Sequence, residues 1–419
     1  MRRAVLLPVV AALAAAALPS AAQAQSRAAC AAPTAPGTMQ CFAQVEVQPT
    51  TLRPALAMSP LVLPTGYGPV QFHGAYALPK MTPLVAGSKT KRTAQTIAIV
   101  DAYRSPTQFA DLTKFDTTFG LPAFPRCTAK VTTSCFQAMN ETGGKTLPAS
   151  GVPSGWDVEI SLDVQVAHEI CQNCKILLVE ATGPTSADLG TAVDTAIAKG
   201  ANVVSNSYGS YTLTSSGVST GKGDYAHPHH AIVVSAGDSG FGPAYPADLD
   251  SVVSVGGTNL QLGPNNTYGS ESVWNNSATS ATGSGCDDAS AARTWQLALA
   301  NWSSTGCGAF RAMNDVSADA DPSTGAAVYD SAYGWMQVGG TSLAAPLIAG
   351  VYALAANSST TNYPASLAYA HTAALHDVTS GNNLPGHAGL TCGMPLECDA
   401  GTGYDLPTGL GTPNGLGAF

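Results

Sequence analysis

Between Thr96 and Val255 the sequence switches repeatedly between two periods, and few folds accommodate such switching. Thr96–Val100 (TIAIV) is a short β-branched run of the kind that forms a strand buried on both faces. Asp157–Ile170 carries Val158, Leu162, Val166 and Ile170 at helical spacing, and Lys175–Ala181 (KILLVEA) reads as the next strand. Ser186–Lys199 is a helix that Gly200 stops. Asn202–Tyr208, Ala231–Ala236 and Ser251–Val255 supply three further strands. This alternation predicts an α/β fold with a mostly parallel central sheet and helices on both faces, which binds ligands at the carboxyl ends of its strands. Asn259–Gly334 is rich in Gly, Ser and Asn and reads as loop, and the tail after Ala374 as turns.

The first residues have a basic start, an apolar middle and small residues ending at Ala24, the pattern of a signal peptide over 1–24. Residues 25–64, rich in Ala, Pro and Thr, read as an extended arm that Cys30 and Cys41 could staple, and 65–419 as one domain. Ten cysteines fall in near neighbours: Cys30/Cys41, Cys127/Cys135, Cys171/Cys174, Cys286/Cys307 and Cys392/Cys398. An even number so arranged suggests five local disulfides and a secreted protein, extracellular or periplasmic. A net charge of −9 argues against nucleic acid or an anionic membrane as partner, and no later segment is apolar enough to span a bilayer. With only 11% charged residues, acid self-repulsion is limited, which suits work at low pH.

The segment VGGTSLAAPLIAG (338–350) places Ser342 where a helix begins, beside the positive end of its dipole. Gly339 and Gly340 leave room for a bound chain, and Pro346 is assigned to the first turn, where its missing N–H is not needed. An ordinary N-cap on a buried helix reads the same way. None of the eight histidines sits in the His-Gly-Thr context of subtilisin-type enzymes. Carboxylates are the better partners. Glu159 and Asp163 lie four apart on one helical face, where two like charges share a proton or repel. Asp238, after the strand AIVVSAG, stands at the ligand end of the sheet, where a protonated carboxyl could donate to an oxyanion.

At this point the sequence resembles the sedolisins, serine-carboxyl peptidases with a subtilisin-like three-layer fold. The matching stretches are TIAIVDAYRSP (96–106), DVEISLDVQVAHEICQNCKILLVEA (157–181), NVVSNSYGS (202–210) and VVSAGDSGFGPAYPADLDSVVSVGGT (233–258). DVSADADPSTGAAVY (315–329), VGGTSLAAP (338–346), LHDVTSGNN (375–383) and AGTGYDLPTGLGTPNG (400–415) continue the match in order. The resemblance implies Ser342 as nucleophile, Glu159 as general base and acid, Asp163 as its buttress, and Asp238 as oxyanion-hole acid. Asp101 is read as structural. Ser205, Ser207, Tyr208 and Gly209 would form the substrate-binding edge.

The resemblance further implies one structural Ca2+, held by Asp377 and Asp405 carboxylates and by the carbonyls of Val378, Gly401 and Gly403. The stretch Leu384–Asp399, with Cys392 and Cys398, departs from the family as a stapled excursion. A second departure is that only the short extension 25–64, not a full-length propeptide, precedes the domain. The implied protein is a monomeric secreted endopeptidase that acts on proteins or peptides at acidic pH. Two alternatives stand beside it: an exported binding or structural homologue without activity, and a neutral hydrolase using Asp101 and a histidine.

Overall fold

A computed structural model describes residues 25–33, 35, 37–47, 63–79, 95–213 and 223–419; the signal-peptide assignment lies outside them. The predicted α/β architecture is present. Phe136–Asn140, Lys175–Ala181, Thr96–Ala102, Val203–Asn206, Ala231–Ser235 and Val253–Leu262 lie side by side in that order, all parallel. Val316–Asp319 extends the sheet in parallel from Val253–Leu262, and Tyr268–Val273 closes it antiparallel. The central strands are buried throughout except at the first residues of two of them, Thr96 and Lys175, which is why their sequences are largely apolar rather than alternating.

Two helices share one side of this sheet and pack on each other: Trp156–Ile170 and Thr341–Ala355. Every residue of the first is buried, its acids included, because the sheet, the second helix, the helix Gln108–Phe119 and the strand Ala326–Asp330 enclose it. The exposed acidic face that its four carboxylates could have formed is therefore absent. Ser186–Ala198 packs against strands of the same sheet, with the side chain of Thr185 accepting from the Asp188 amide at its start.

Two expectations need correction. Asn259–Gly334 is not loop: it contains Tyr268–Val273, Ser280–Ser284, Val316–Asp319 and Ala326–Asp330, besides shorter strands. Ser280–Ser284 is buried throughout, so small polar residues fill tight space there and leave no alternating apolar signal. Pro346 is the sixth residue of its helix, beyond the first turn. It removes the amide that would bond the Ser342 carbonyl, and the Ser207 hydroxyl approaches that carbonyl instead at 3.4 Å.

All five local disulfides form as expected: Cys30–Cys41, Cys127–Cys135, Cys171–Cys174, Cys286–Cys307 and Cys392–Cys398. The first staples the amino-terminal arm, which is not a free extension. Gln25–Ala28 pairs with Gln44–Val47, which pairs in turn with Gly334–Gly339, while Gln40–Cys41 pairs with Tyr208–Gly209. Among the described residues no helix is long and apolar enough to cross a membrane.

Candidate active site

Ser342 is the second residue of its helix, after Gly340 at φ 91°, and is fully buried. The positive φ favours glycine there, and a Cβ on Gly340 would sit 1.8 Å from the Phe42 carbonyl oxygen and 2.9 Å from Asp238 Oδ2. The Ser342 hydroxyl donates to the Ser207 carbonyl at 3.2 Å and accepts from the Phe42 amide at 3.1 Å. Its own amide, at the second helical position, has no acceptor within the helix.

The helix Trp156–Ile170 delivers two acids to the same place. Glu159 and Asp163 are both fully buried, one turn apart. Glu159 Oε2 accepts from the Ala43 amide at 2.9 Å, and Asp163 Oδ1 from the Ser207 hydroxyl at 2.9 Å. Burial, then the charge of Asp163, pushes the Glu159 carboxyl well above the usual range, while Ser342 and Ala43 pull it back. Burial, then the charge of Asp101, does the same to Asp163, with Ser207 opposing. Asp101, at the end of Thr96–Ala102, is itself raised by burial and by the charges of Glu159 and Glu180. The pair seen in the sequence is thus part of a longer row of acids, and the state of Asp101 bears on it.

Asp238 completes the group from the end of Ala231–Ser235. Its Oδ1 accepts from both the amide and the hydroxyl of Thr341 at 2.9 Å each. Its Oδ2 faces the backbone of Gly340, and Gln44 is the remaining side-chain donor near this carboxyl. Burial pushes this carboxyl up to about 7, against donors from Thr341 and Gln44. A proton on Oδ2 is then held below about pH 7, and that oxygen can donate. Thr341 was not singled out in the sequence, yet it is what fixes the carboxyl's orientation.

No histidine enters this arrangement among the described residues: His168 pairs with Asp116 at 3.1 Å, and His387 stacks on Tyr211 at 4.2 Å. Ser342, Glu159, Asp163 and Asp238 do come together. Of the edge residues, Tyr208 and Gly209 offer backbone to a pairing strand and Ser207 faces the acids, whereas Ser205 lies inside the sheet between Ile99 and Val233. The arrangement can take a proton from a serine hydroxyl, hold a carbonyl oxygen, and return the proton to a leaving nitrogen.

The Phe42 ring packs beside Gly209, is 1% exposed and meets Tyr211 at 6.0 Å between centroids. A Cβ on Gly209 would be 2.8 Å from the ring, so the ring can take this position because residue 209 is glycine.

Asp377 and Asp405 also converge. Asp405 is buried and accepts from the amides of Gly401 and Thr408, and Asp377 accepts from the amide of Gly403. Burial first, with the charge of Asp377 adding to it, pushes Asp405 up to about 7. Two carboxylates with no cationic partner between them fit a cation by donor chemistry. Because no group of three or more His, Cys, Asp or Glu side chains placed to hold a metal ion occurs among the described residues, such a site would lean on backbone carbonyls.

The model of the subtilase family matches residues 143–391. Sedolisin of Pseudomonas sp. (strain 101) is 36% identical over 182 residues, which cover 41% of this chain and 28% of that protein. Kumamolisin of Bacillus sp. (strain MN-32) is 30% identical over 230 residues, covering 50% of this chain and 41% of that protein. The chain therefore spans less than half the length of these curated relatives. The solved structure of Pseudomonas sedolisin complexed with two molecules of pseudo-iodotyrostatin superposes with a TM-score of 0.65 at 25% identity. That superposition covers 84% of this chain and 96% of the other.

Proposed function

The chain belongs to the subtilase family, in its sedolisin branch, and from that premise we propose that it is a secreted serine-carboxyl endopeptidase. Ser342 attacks the carbonyl carbon of a peptide bond. Its proton passes to Glu159, held in place by Asp163, while Asp238 and the Ser342 amide bind the oxyanion. Glu159 then protonates the leaving nitrogen, and water hydrolyses the acyl-enzyme by the same relay. The observation that carries this reading is the convergence of three buried carboxyls on one serine that no histidine serves. Protein or peptide chains are the substrates, and the five disulfides fit an oxidising compartment.

The reaction should run on the acid side of neutrality. Asp238 donates only when protonated, and its raised pKa keeps it so below about 7. Hydrolysis of a denatured protein is therefore expected to fall as pH rises through about 7. Asp238→Asn, whose amide donates at any pH while its carbonyl still accepts from Thr341, should lose that alkaline limb. A wild-type rate that stays level from about pH 6 to about pH 8 would refute the role given to Asp238.

One Ca2+ is proposed at Asp377 and Asp405, with carbonyls from Val378, Gly401 and Gly403. When bound it would supply charge neutralisation to this loop and take no part in the chemistry. Ca2+ at a hundredfold excess over its Kd is expected to add about 2.7 kcal/mol to stability, read as a rise in Tm. Asp377→Asn should abolish the rise; an equal rise in that variant removes the assignment.

A further inference from the structure

We propose that the stapled excursion Leu384–Asp399 sets the preference for the substrate residue before the cleaved bond. His387 is its positioning residue: it holds the Tyr211 ring as a wall that favours an aromatic side chain. The inference rests on the peptidase reading above and deepens it by naming what selects that residue.

The arm shows where such a side chain lies. Gln40 and Cys41 pair antiparallel with Gly209 and Tyr208, and the Phe42 amide reaches the Ser207 carbonyl at 3.3 Å. An extended peptide that adds to a sheet edge in this way is held by its main chain, so its side chains are read by the surface around them. The Phe42 amide lies 3.1 Å from Ser342 Oγ, and the Ala43 amide after it lies 2.9 Å from Glu159 Oε2. The Phe42 ring therefore marks the direction of the side chain on the acyl side of a bond at Ser342.

Tyr211 is the aromatic neighbour of that ring, at 6.0 Å between centroids and tilted by 57°. Its hydroxyl accepts from the Ser239 amide at 2.9 Å, next to Asp238. That bond lies on the ring's long axis. It fixes the far end of the side chain but leaves the plane free to turn about the axis, a torsion with broad preferences. The stack on His387, at 4.2 Å with 11° between planes, stops that turn. Contact between two aromatic rings depends on their mutual tilt, so what fixes the Tyr211 plane also fixes how well an incoming ring is received.

The excursion is anchored closely enough to hold His387 in place. Asn383, fully buried, donates to the Thr282 carbonyl at 2.9 Å and the Ser284 hydroxyl at 2.8 Å. Its carbonyl accepts from the Phe241 amide at 3.2 Å. Asn275 donates to the carbonyls of Asn382 at 2.9 Å and Leu384 at 2.7 Å. The Gly386 amide closes a tight loop onto the Leu390 carbonyl at 3.2 Å, and Cys392–Cys398 closes the far end. A Cβ on Gly240 would sit 2.5 Å from the Pro385 carbonyl oxygen, so the excursion lies directly on Ser239–Phe241, the strand that follows Asp238. These anchors alone would seat the excursion; they do not call for a ring laid flat on Tyr211.

The test uses full-length protein kept at about pH 4 until its activity on a denatured protein is constant. Then kcat/KM is measured on two peptides that differ only in carrying Phe or Ala before the cleaved bond. Wild type should favour Phe by about 100-fold. His387→Ala should lower that ratio about tenfold through the Phe peptide alone, with kcat/KM for the Ala peptide unchanged. His387→Phe, which keeps a ring to stack, should restore the ratio. In a Tyr211→Leu background, His387→Ala should leave the ratio where it is, because His387 acts through that ring. An indifferent wild type, an unchanged ratio in His387→Ala, or an equal fall on both peptides would overturn the proposal and leave the peptidase reading standing. So would a ratio that His387→Phe does not restore, or a further fall in the Tyr211→Leu background. Hydrolysis of neither peptide by wild type would overturn both.

Discussion

Ser342→Ala is expected to lower kcat on an external peptide by about a million-fold, because a covalent step has no other hydroxyl to use. The hydroxyl's structural contribution is small by comparison. It makes one hydrogen bond to the Ser207 carbonyl and accepts one from Phe42, so the variant should lose only about 1–2 kcal/mol of stability. Activity and thermal unfolding measured on one preparation separate the two effects. A residual rate within about a hundredfold of wild type, with Tm preserved, would mean that the hydrolysis proceeds elsewhere in the molecule.

Glu159→Gln should follow, with kcat/KM reduced by about 10³–10⁴-fold. Glutamine matches the carboxyl in shape and can still accept from the Ala43 amide, but it takes no proton from Ser342. Folding should be spared, since the substitution removes a carboxyl that burial and Asp163 already hold toward its neutral form. The pH profile gives a second readout. In wild type the relay needs one ionised carboxyl among the acids around Ser342, so activity rises with pH until Asp238 loses its proton. In the variant that rising limb should vanish along with most of the rate. A histidine-dependent hydrolase would behave oppositely, tolerating Glu159→Gln and gaining rate through about 6.5.

How much of this was legible from the residues follows from the range of the interactions involved. The sheet announces itself because each parallel strand buries both faces, and Lys175–Ala181 can hardly be anything else. Glu159 and Asp163 are readable because one turn of helix fixes their relation, and Asp238 because it follows a strand at its ligand end. The clamp that Thr341 places on Asp238 joins residues 103 positions apart. The contact between Phe42 and Ser342 joins residues 300 positions apart. Neither leaves a local pattern. Asp101 reads from the sequence as structural because a lone acid ending a strand has many explanations, and only the fold puts its charge near Asp163. Ser280–Ser284, within Asn259–Gly334, escapes notice because its small polar residues satisfy a buried ladder without any apolar period.

The two ladders that grip the arm also dictate what else can enter. Once Gln44–Val47 is displaced, Gly334–Gly339 presents an open row of amides and carbonyls, aligned with the one on Tyr208–Gly209. An incoming polypeptide must bridge both rows as a single straight ribbon, which no tight turn or helix in a native globule can do. On the proposed function, selection would then fall on whether a substrate chain has already lost its tertiary structure.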